Sequence, residues 1–214
     1  MKLRFLVLLT ILCALSAAAV EVTTQCEKPG SWRISAETTG DPQGVEIVRV
    51  KLDSDVVAPP PKFAVKFAVP QVDIRHVWNA VDESYPIPAD WSTTSFESQL
   101  AGPPPLYCFL NGNNCNRLTL ACSEAFNPLE FGLYADDRTC EVIGRCEFFT
   151  KPVAMTREYS VSVMLDCRGR GFAETVRDCS KWIAEKNGFK TAYAPESAYD
   201  PLYSTWYAYL QDVH

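Results

Sequence analysis

The chain has only two histidines, His76 and His214, and its nine cysteines include no C-x-x-C pair. Structural zinc sites are assembled from Cys and His at short, regular spacings, so no zinc pattern is present. Past residue 20 there is no run of Lys or Arg, and 20 basic against 26 acidic residues leave a net charge of -6. Nucleic acid and anionic membrane surfaces are held by clustered positive charge, and the composition argues against both as partners. Internal repeats and low-complexity tracts are also missing, which excludes solenoids and fibrous arrays. The low hydrophobicity that marks disordered chains is absent as well: 47% of the residues are hydrophobic, 12% aromatic and 21% charged. A length of 214 residues suits one domain or two small ones, with enough apolar material for a sizeable core. Fifteen prolines without a period speak for many loops and edges rather than a helical bundle. "APPPK" (58–62) and "GPPPL" (102–106) are short, stiff spacers.

The single long apolar run is at the start. Lys2 and Arg4 precede Phe5 to Leu15, broken only by Thr10, and "SAAAV" follows with Ala17 and Ala19 in the A-x-A arrangement. This is the pattern of a secretory signal peptide. The run is too short to cross a bilayer comfortably. Cleavage is expected after Ala19, which predicts a secreted or periplasmic protein with no membrane association after processing. Cys13 leaves with the leader. Cys26, Cys108, Cys115, Cys122, Cys140, Cys146, Cys167 and Cys179 remain. An even number in an exported chain permits disulfides. Several of these residues sit inside apolar runs such as "LYCFL" and "SVMLDCR", where a thiol behaves as a small buried hydrophobe, so both readings stand. Neither a metal nor any other cofactor is expected.

From residue 31 to 168 short β-rich runs dominate. "SWRISAET" (31–38), "GVEIVRVKL" (44–52) and "KFAVKFAV" (62–69) come first. "LYCFLN" (106–111) and "NRLTLACS" (116–123) flank "GNNC", a hairpin turn by its Gly and Asn residues. "LEFGLYAD" (129–136), "CEVIGRCEFFT" (140–150) and "EYSVSVMLD" (158–166) follow. In "YSVSVML" Tyr159, Val161, Val163 and Leu165 share one face. Many short alternating strands predict a large two-sheet antiparallel β-sandwich, over residues 20–170. Between 71 and 105 the alternation is lost, and "WNAVDESYPIPADW" reads as an irregular loop anchored by Trp78 and Trp91. From Gly171 the period changes. Phe172, Val176, Cys179 and Ile183 fall on one helix face, and Gly188 stops the helix. Residues 171–196 are thus helix and linker. The final segment, 197–214, holds the aromatic, β-branched "YSTWYAY", whose composition favours a buried strand.

Two segments carry a resemblance. "NRLTLACSEAFNPLEFGLYAD" (116–136) resembles the N-R-x-T-x-A-x-S-[DE] signature of α-galactosidases of the melibiase class, glycoside hydrolase family 36. "PLYSTWYAYLQDV" (201–213) is similar to the P-x-Y-S-T-W-Y segment that opens their catalytic barrel. "CEFFT" and "MLDCRGRGFAETVRDCSKWI" also look like the family, and the likeness spans roughly residues 63–214. The resemblance implies an N-terminal β-sandwich followed by one helix and the first strand of a truncated (β/α)8 barrel. It implies α-galactosides as the carbohydrate partner of the full-length enzyme. Retaining glycoside hydrolysis needs two carboxylates ~5–5.5 Å apart, which the family places on later barrel strands. No position here matches them, so no catalytic residue is assigned.

By the same resemblance Trp206 falls where the wider clan has a Trp in the galactose-binding wall; an aromatic face suits the C–H face of the sugar. A core Trp sealing the barrel floor is the other reading. Gln211 and Asp212, near that strand's C-terminal end, receive no role. Asp82–Glu83 and Asp136–Asp137 are tempting carboxylate pairs, but both lie in turn-like contexts that favour Asp for local reasons. Ser204 and Thr205 have no base in reach by sequence, His214 is terminal, and His76 reads as a surface or loop residue. Asn116, Arg117, Thr119 and Ser123 read as structural ties, with a carboxylate partner for Arg117 left open. Trp182 reads as a packing residue of the helix. A stand-alone secreted β-sandwich that binds carbohydrate or protein is the competing function, and a structural remnant a third. A homo-oligomer stays open.

Overall fold

Period-two alternation produces strands, and in two of the long ones burial follows the same period over most of their length. In the computed structural model, described for residues 11–12, 21–26, 30–41, 44–80, 87–88, 94–98, 104–190 and 193–196, strand follows strand up to a single helix near the end. The strands are β1 (Ile11–Leu12), β2 (Glu21–Cys26), β3 (Trp32–Asp41), β4 (Val45–Ala58), β5 (Phe63–Pro70), β6 (His76–Asn79) and β7 (Ile87–Pro88). Then come β8 (Thr94–Ser98), β9 (Leu106–Leu110), β10 (Asn116–Cys122), β11 (Leu129–Asp136), β12 (Glu141–Phe148) and β13 (Thr156–Asp166), before α1 (Phe172–Asn187). Within β4, Val48, Val50, Leu52 and Ser54 are buried while Arg49, Lys51 and Asp53 are exposed, the signature of a sheet with one apolar face.

The chain is mostly β, in two antiparallel sheets. One has six strands in the order β1-β2-β5-β12-β11-β8, the other seven in the order β3-β4-β13-β10-β9-β6-β7. Both sheets feed one core. Val50, Phe109 and Val163 from the seven-stranded sheet belong to the same buried cluster as Phe67, Phe131 and Phe148 from the six-stranded sheet. Rings meet across the two: Tyr107 stands edge-on to Phe131 at 5.8 Å, and Tyr159 to Phe63 at 6.2 Å and to Phe148 at 6.5 Å. Each fully buried side chain of this size contributes ~1.5–3 kcal/mol, so the core, not local propensity, holds the sheets. One glycine is required by it. Gly144 pairs with Phe67 across β12 and β5, and a Cβ on Gly144 would lie 1.6 Å from the Phe67 ring. The ring occupies the space that the glycine leaves.

Helix α1 lies on the other face of the seven-stranded sheet. Cys179 and Ile183 from the helix bury against Leu106, Ala121 and Met164 from β9, β10 and β13. Thr175 is also buried, an addition to the predicted face that its polarity hid. Trp182 and Trp78 flank this cluster, and Trp78 meets Phe172 edge-on at 5.3 Å, so both act as packing residues. The start of α1 has no side-chain cap. The β9–β10 turn takes that role: Asn114 O accepts from Phe172 N at 3.0 Å, and Asn116 N donates to Arg170 O at 2.7 Å. Gly188, at φ 65°, closes the other end in the left-handed conformation that glycine adopts without strain.

The stretch from 71 to 105 departs from its reading as irregular loop, since β6, β7 and β8 all fall within it. They are two to five residues long and lie at or next to sheet margins. All four residues of β6 are half-buried, so no alternation was there to be seen. Trp91 lies outside the described residues, as does most of the predicted leader. The pairing of β1 with β2 joins two residues of the predicted leader to the six-stranded sheet, at its margin.

Candidate functional site

Among the described residues, the densest polar constellation lies where β13 hands over to α1. "LDCRGR" (165–170) leaves the sheet, and Gly169, at φ 70°, reverses the backbone. Arg168, before Gly169, and Arg170, after it, both bond back onto Asp166, whose side chain is fully buried. Asp166 accepts from Arg168 N at 3.0 Å, Arg168 Nε at 3.0 Å, Arg168 Nη2 at 2.6 Å and Arg170 Nη2 at 3.0 Å. Arg170 also reaches Glu174 Oε1 at 3.1 Å and Asp178 on the first turns of α1. On the sheet side Asn116 Nδ2 donates to the backbone oxygen of Asp166 at 2.7 Å, while its Oδ1 accepts from Thr119 Oγ1 at 2.8 Å. Burial alone would raise the carboxyl pKa of Asp166. The hydrogen bonds from Arg168, with those of Arg170, outweigh it and hold the group below the ordinary carboxylate value. Asp178 is lowered too, first by its hydrogen bond from Arg170.

A carboxylate has about four lone-pair sites, and four donors fill those of Asp166. It has no free lone pair for a substrate proton. The network's chemistry is therefore fixation: it locks the exit of β13, the hairpin turn and the start of α1 into one geometry. A second buried carboxylate does the same on the connection between the two sheets. Glu124, 7% exposed, accepts from Phe126 N at 2.9 Å, Asn127 N at 2.8 Å and Asn127 Nδ2 at 3.1 Å, and from the Tyr159 hydroxyl. Burial, with the Glu124 charge beside it, pushes the Tyr159 phenol well up.

The buried thiols are not nucleophiles. Among the described residues, Cys108, Cys115, Cys122, Cys140, Cys146 and Cys179 carry free thiols, and Cys108, Cys122, Cys146 and Cys179 are buried, so the buried-thiol reading fits these four. Burial pushes Cys108, Cys122 and Cys179 up to about 12, and Cys146 well above the usual thiol value. The thiolate is the reactive form, and these four stay protonated. Among the described residues no group of three or more His, Cys, Asp or Glu could hold a metal ion.

The residues singled out in the sequence divide sharply. Asn116 and Thr119 are buried in the network just described, and Ser123 Oγ accepts from Ser162 N at 2.9 Å, tying the end of β10 to β13. Arg117 finds its carboxylate in Asp73, through a single Nε contact at 3.6 Å rather than a fork. Asp136 ends β11, and its Oδ1 accepts from Arg138 N at 2.9 Å, a local turn bond. His76 opens β6, half-buried, with Nδ1 3.3 Å from Asn111 O. Trp206, Ser204, Thr205, Gln211, Asp212, His214, Asp82 and Glu83 lie outside the described residues. The sequence reading missed the roles of Asp166, Arg168 and Arg170, although the D-x-R-x-R spacing around a glycine carried the signal. It also missed Glu124 with Tyr159, which are 35 residues apart. No protein-family model matches this chain, and no curated protein matches it.

Proposed function

We propose that this chain is the N-terminal, non-catalytic part of an exported α-galactosidase-like glycoside hydrolase: a β-sandwich, a connecting helix and the first strand of a (β/α)8 barrel. The observation that carries the reading is the joint occurrence of "NRLTLACSEAF" (116–126) and "PLYSTWY" (201–207) in one chain. Two buried sheet-faces sharing a core support the sandwich. The first segment supplies Asn116, Ser123 and Glu124, which tie β10 and the connection after it to β13, and Thr119, which holds the Asn116 side chain in place, as a fold-defining signature should. In this reading the sandwich and α1 present the barrel, Trp206 stacks on galactose, and the nucleophile and acid/base come from strands encoded after His214. The substrate class is terminal α-galactosides. The test begins with the nucleotides that follow the codon for His214. A continuing frame that encodes barrel strands bearing paired acidic residues, and whose product cleaves a chromogenic α-galactoside, supports the proposal. A stop followed by unrelated sequence sinks it.

A stand-alone carbohydrate-binding module is the second reading. Tyr134, 47% exposed, favours it, because it shares the outer face of the six-stranded sheet with Gly132, over which space is open. Titration of the mature chain with galactosyl oligosaccharides separates the two. Micromolar binding lost in Tyr134→Ala favours the module.

A further inference from the structure

We propose that the free margin of β3 is a dimer contact, and that its partner is the β3 of a second copy in antiparallel, two-fold register centred on Ser35. Strand β3 ends the seven-stranded sheet, with β4 on one side and, among the described residues, no strand on the other. It is ten residues long. Exposed margins of this length are normally blunted by proline, lysine or an inward-pointing charge. The sequence "WRISAETTGD" has no proline and no lysine, and its core-side positions Trp32, Ile34, Ala36 and Thr38 are uncharged. Ile34 and Ala36 pack on the core yet are only partly buried, and Thr38 Oγ1 is buried without a hydrogen-bond partner.

Charge selects the occupant and the register. Arg33, Ser35 and Glu37 are exposed on the opposite side of β3. By register Glu37 lies beside Arg49 of β4 and Arg33 beside Asp53; the Arg33 guanidinium also forks onto exposed Asp55, at 3.0 and 3.1 Å, a solvent-exposed pair that leaves its outer edge open to a second carboxylate. A two-fold axis at Ser35 sets Glu37 opposite Arg33 of the second copy. The row across four strands then reads Arg49, Glu37, Arg33 and Asp53, the last two from the second copy, with signs alternating throughout. A shift of the pairing by two positions one way faces Glu37 with Ser35 and Arg33 with Thr39. The opposite shift faces Glu37 with Ser31 and Arg33 with Ser35. Either shift loses both cross-copy ion pairs. Opposite charges directly across an antiparallel pair are favourable and like charges unfavourable. The register centred on Ser35 also lays Ile34 beside Ala36 of the second copy, covering the half-buried pair on the core side.

Sedimentation of the full chain over a range of concentrations tests the proposal. The wild type is expected at twice the mass of the chain. Glu37→Arg sets like charges against Arg33 at both cross-copy positions and is expected to be monomeric, as is Arg33→Glu. An equimolar mixture of the two variants is expected to recover the dimer, because every cross-copy pair is then either opposite in sign within a mixed dimer or absent. Where a charge variant fails to fold, Ser35→Cys in a Cys140→Ser background decides. The two new thiols face each other and are expected to cross-link with glutathione disulfide, whereas Thr39→Cys in that background is not. A monomeric wild type, a Glu37→Arg dimer, a mixture of folded variants that stays monomeric, or Thr39→Cys linking as readily as Ser35→Cys each overturns it.

Discussion

Single residues here are fixed by what their neighbours leave or supply. At Gly144 the Phe67 ring sits where a Cβ would go, so Gly144→Ala forces a core ring to move. Overpacking of this kind costs ~1–3 kcal/mol, and denaturant unfolding should record a loss of that size with the sheets retained. Asp166 is fixed by supply. Its folded pKa lies below the ordinary value, so its contribution is complete above the unfolded carboxylate value near ~4 and is lost as pH falls through the lowered folded value. Asp166→Asn keeps the shape and removes the charge. Hydrogen bonds to a charged group are worth ~1.5–3 kcal/mol, and Arg170 retains Asp178 and Glu174, so a cost of ~2–3 kcal/mol at pH 7 is expected. The stability difference from wild type should shrink as pH drops below ~4; a difference that stays constant through strong acid would refute the assignment. Thiol reactivity follows burial in the same way. Alkylation of native protein should mark exposed Cys140 and spare Cys108, Cys122, Cys146 and Cys179, which should all react after unfolding without reductant. Cysteines that stay silent after unfolding would point to disulfides instead.

Elements were legible in the sequence wherever one face is buried and the other wet. β4 and β12 alternate in burial residue by residue over most of their length, and the hydrophobic pattern alone locates them. The helix was legible for the same reason, with Gly188 closing it where predicted. β9 is buried at all five positions because α1 covers its second face; its apolar run predicted a strand but not the helix that makes it necessary. β6, β7 and β8 were not legible, since marginal strands of a few residues take their structure from the neighbour they pair with. The polar site was the least legible part. Asn116 and Thr119 stood out only through resemblance, while Asp166 and Arg170 needed the backbone reversal at Gly169 before their spacing meant anything. At the end of α1, Gly188→Ala places a Cβ in a left-handed conformation, at ~1 kcal/mol. Faster amide exchange confined to the last turns of α1, with exchange in β10 unchanged, is the expected readout. Uniform acceleration throughout the sheet would mean that the helix and sheet open as one unit.

At the scale of the whole molecule, the buried carboxylates among the described residues are occupied in holding the fold, and this decides what they can catalyse. A covalent glycosyl intermediate needs a free carboxylate on one side of the sugar and a proton donor on the other. Asp166 and Glu124 accept four hydrogen bonds each, and Asp136 is turned toward its own backbone neighbour. Residues 20–214 are therefore expected not to cleave a chromogenic α-galactoside, even when circular dichroism reports a folded, β-dominated protein. On the proposed reading, Trp206 by itself offers galactose one stacking face. Galactose binding should be no tighter than millimolar, about -4 kcal/mol, measured by calorimetry. If a downstream barrel is present and supplied in the same chain, turnover should appear. Trp206→Ala should then lower it by ~10-fold, a barrier change of ~1.4 kcal/mol. Turnover by the 214-residue chain itself, abolished by Asp136→Asn with Asp137→Asn, would instead place the chemistry in the turn after β11 and end the glycosidase-fragment reading.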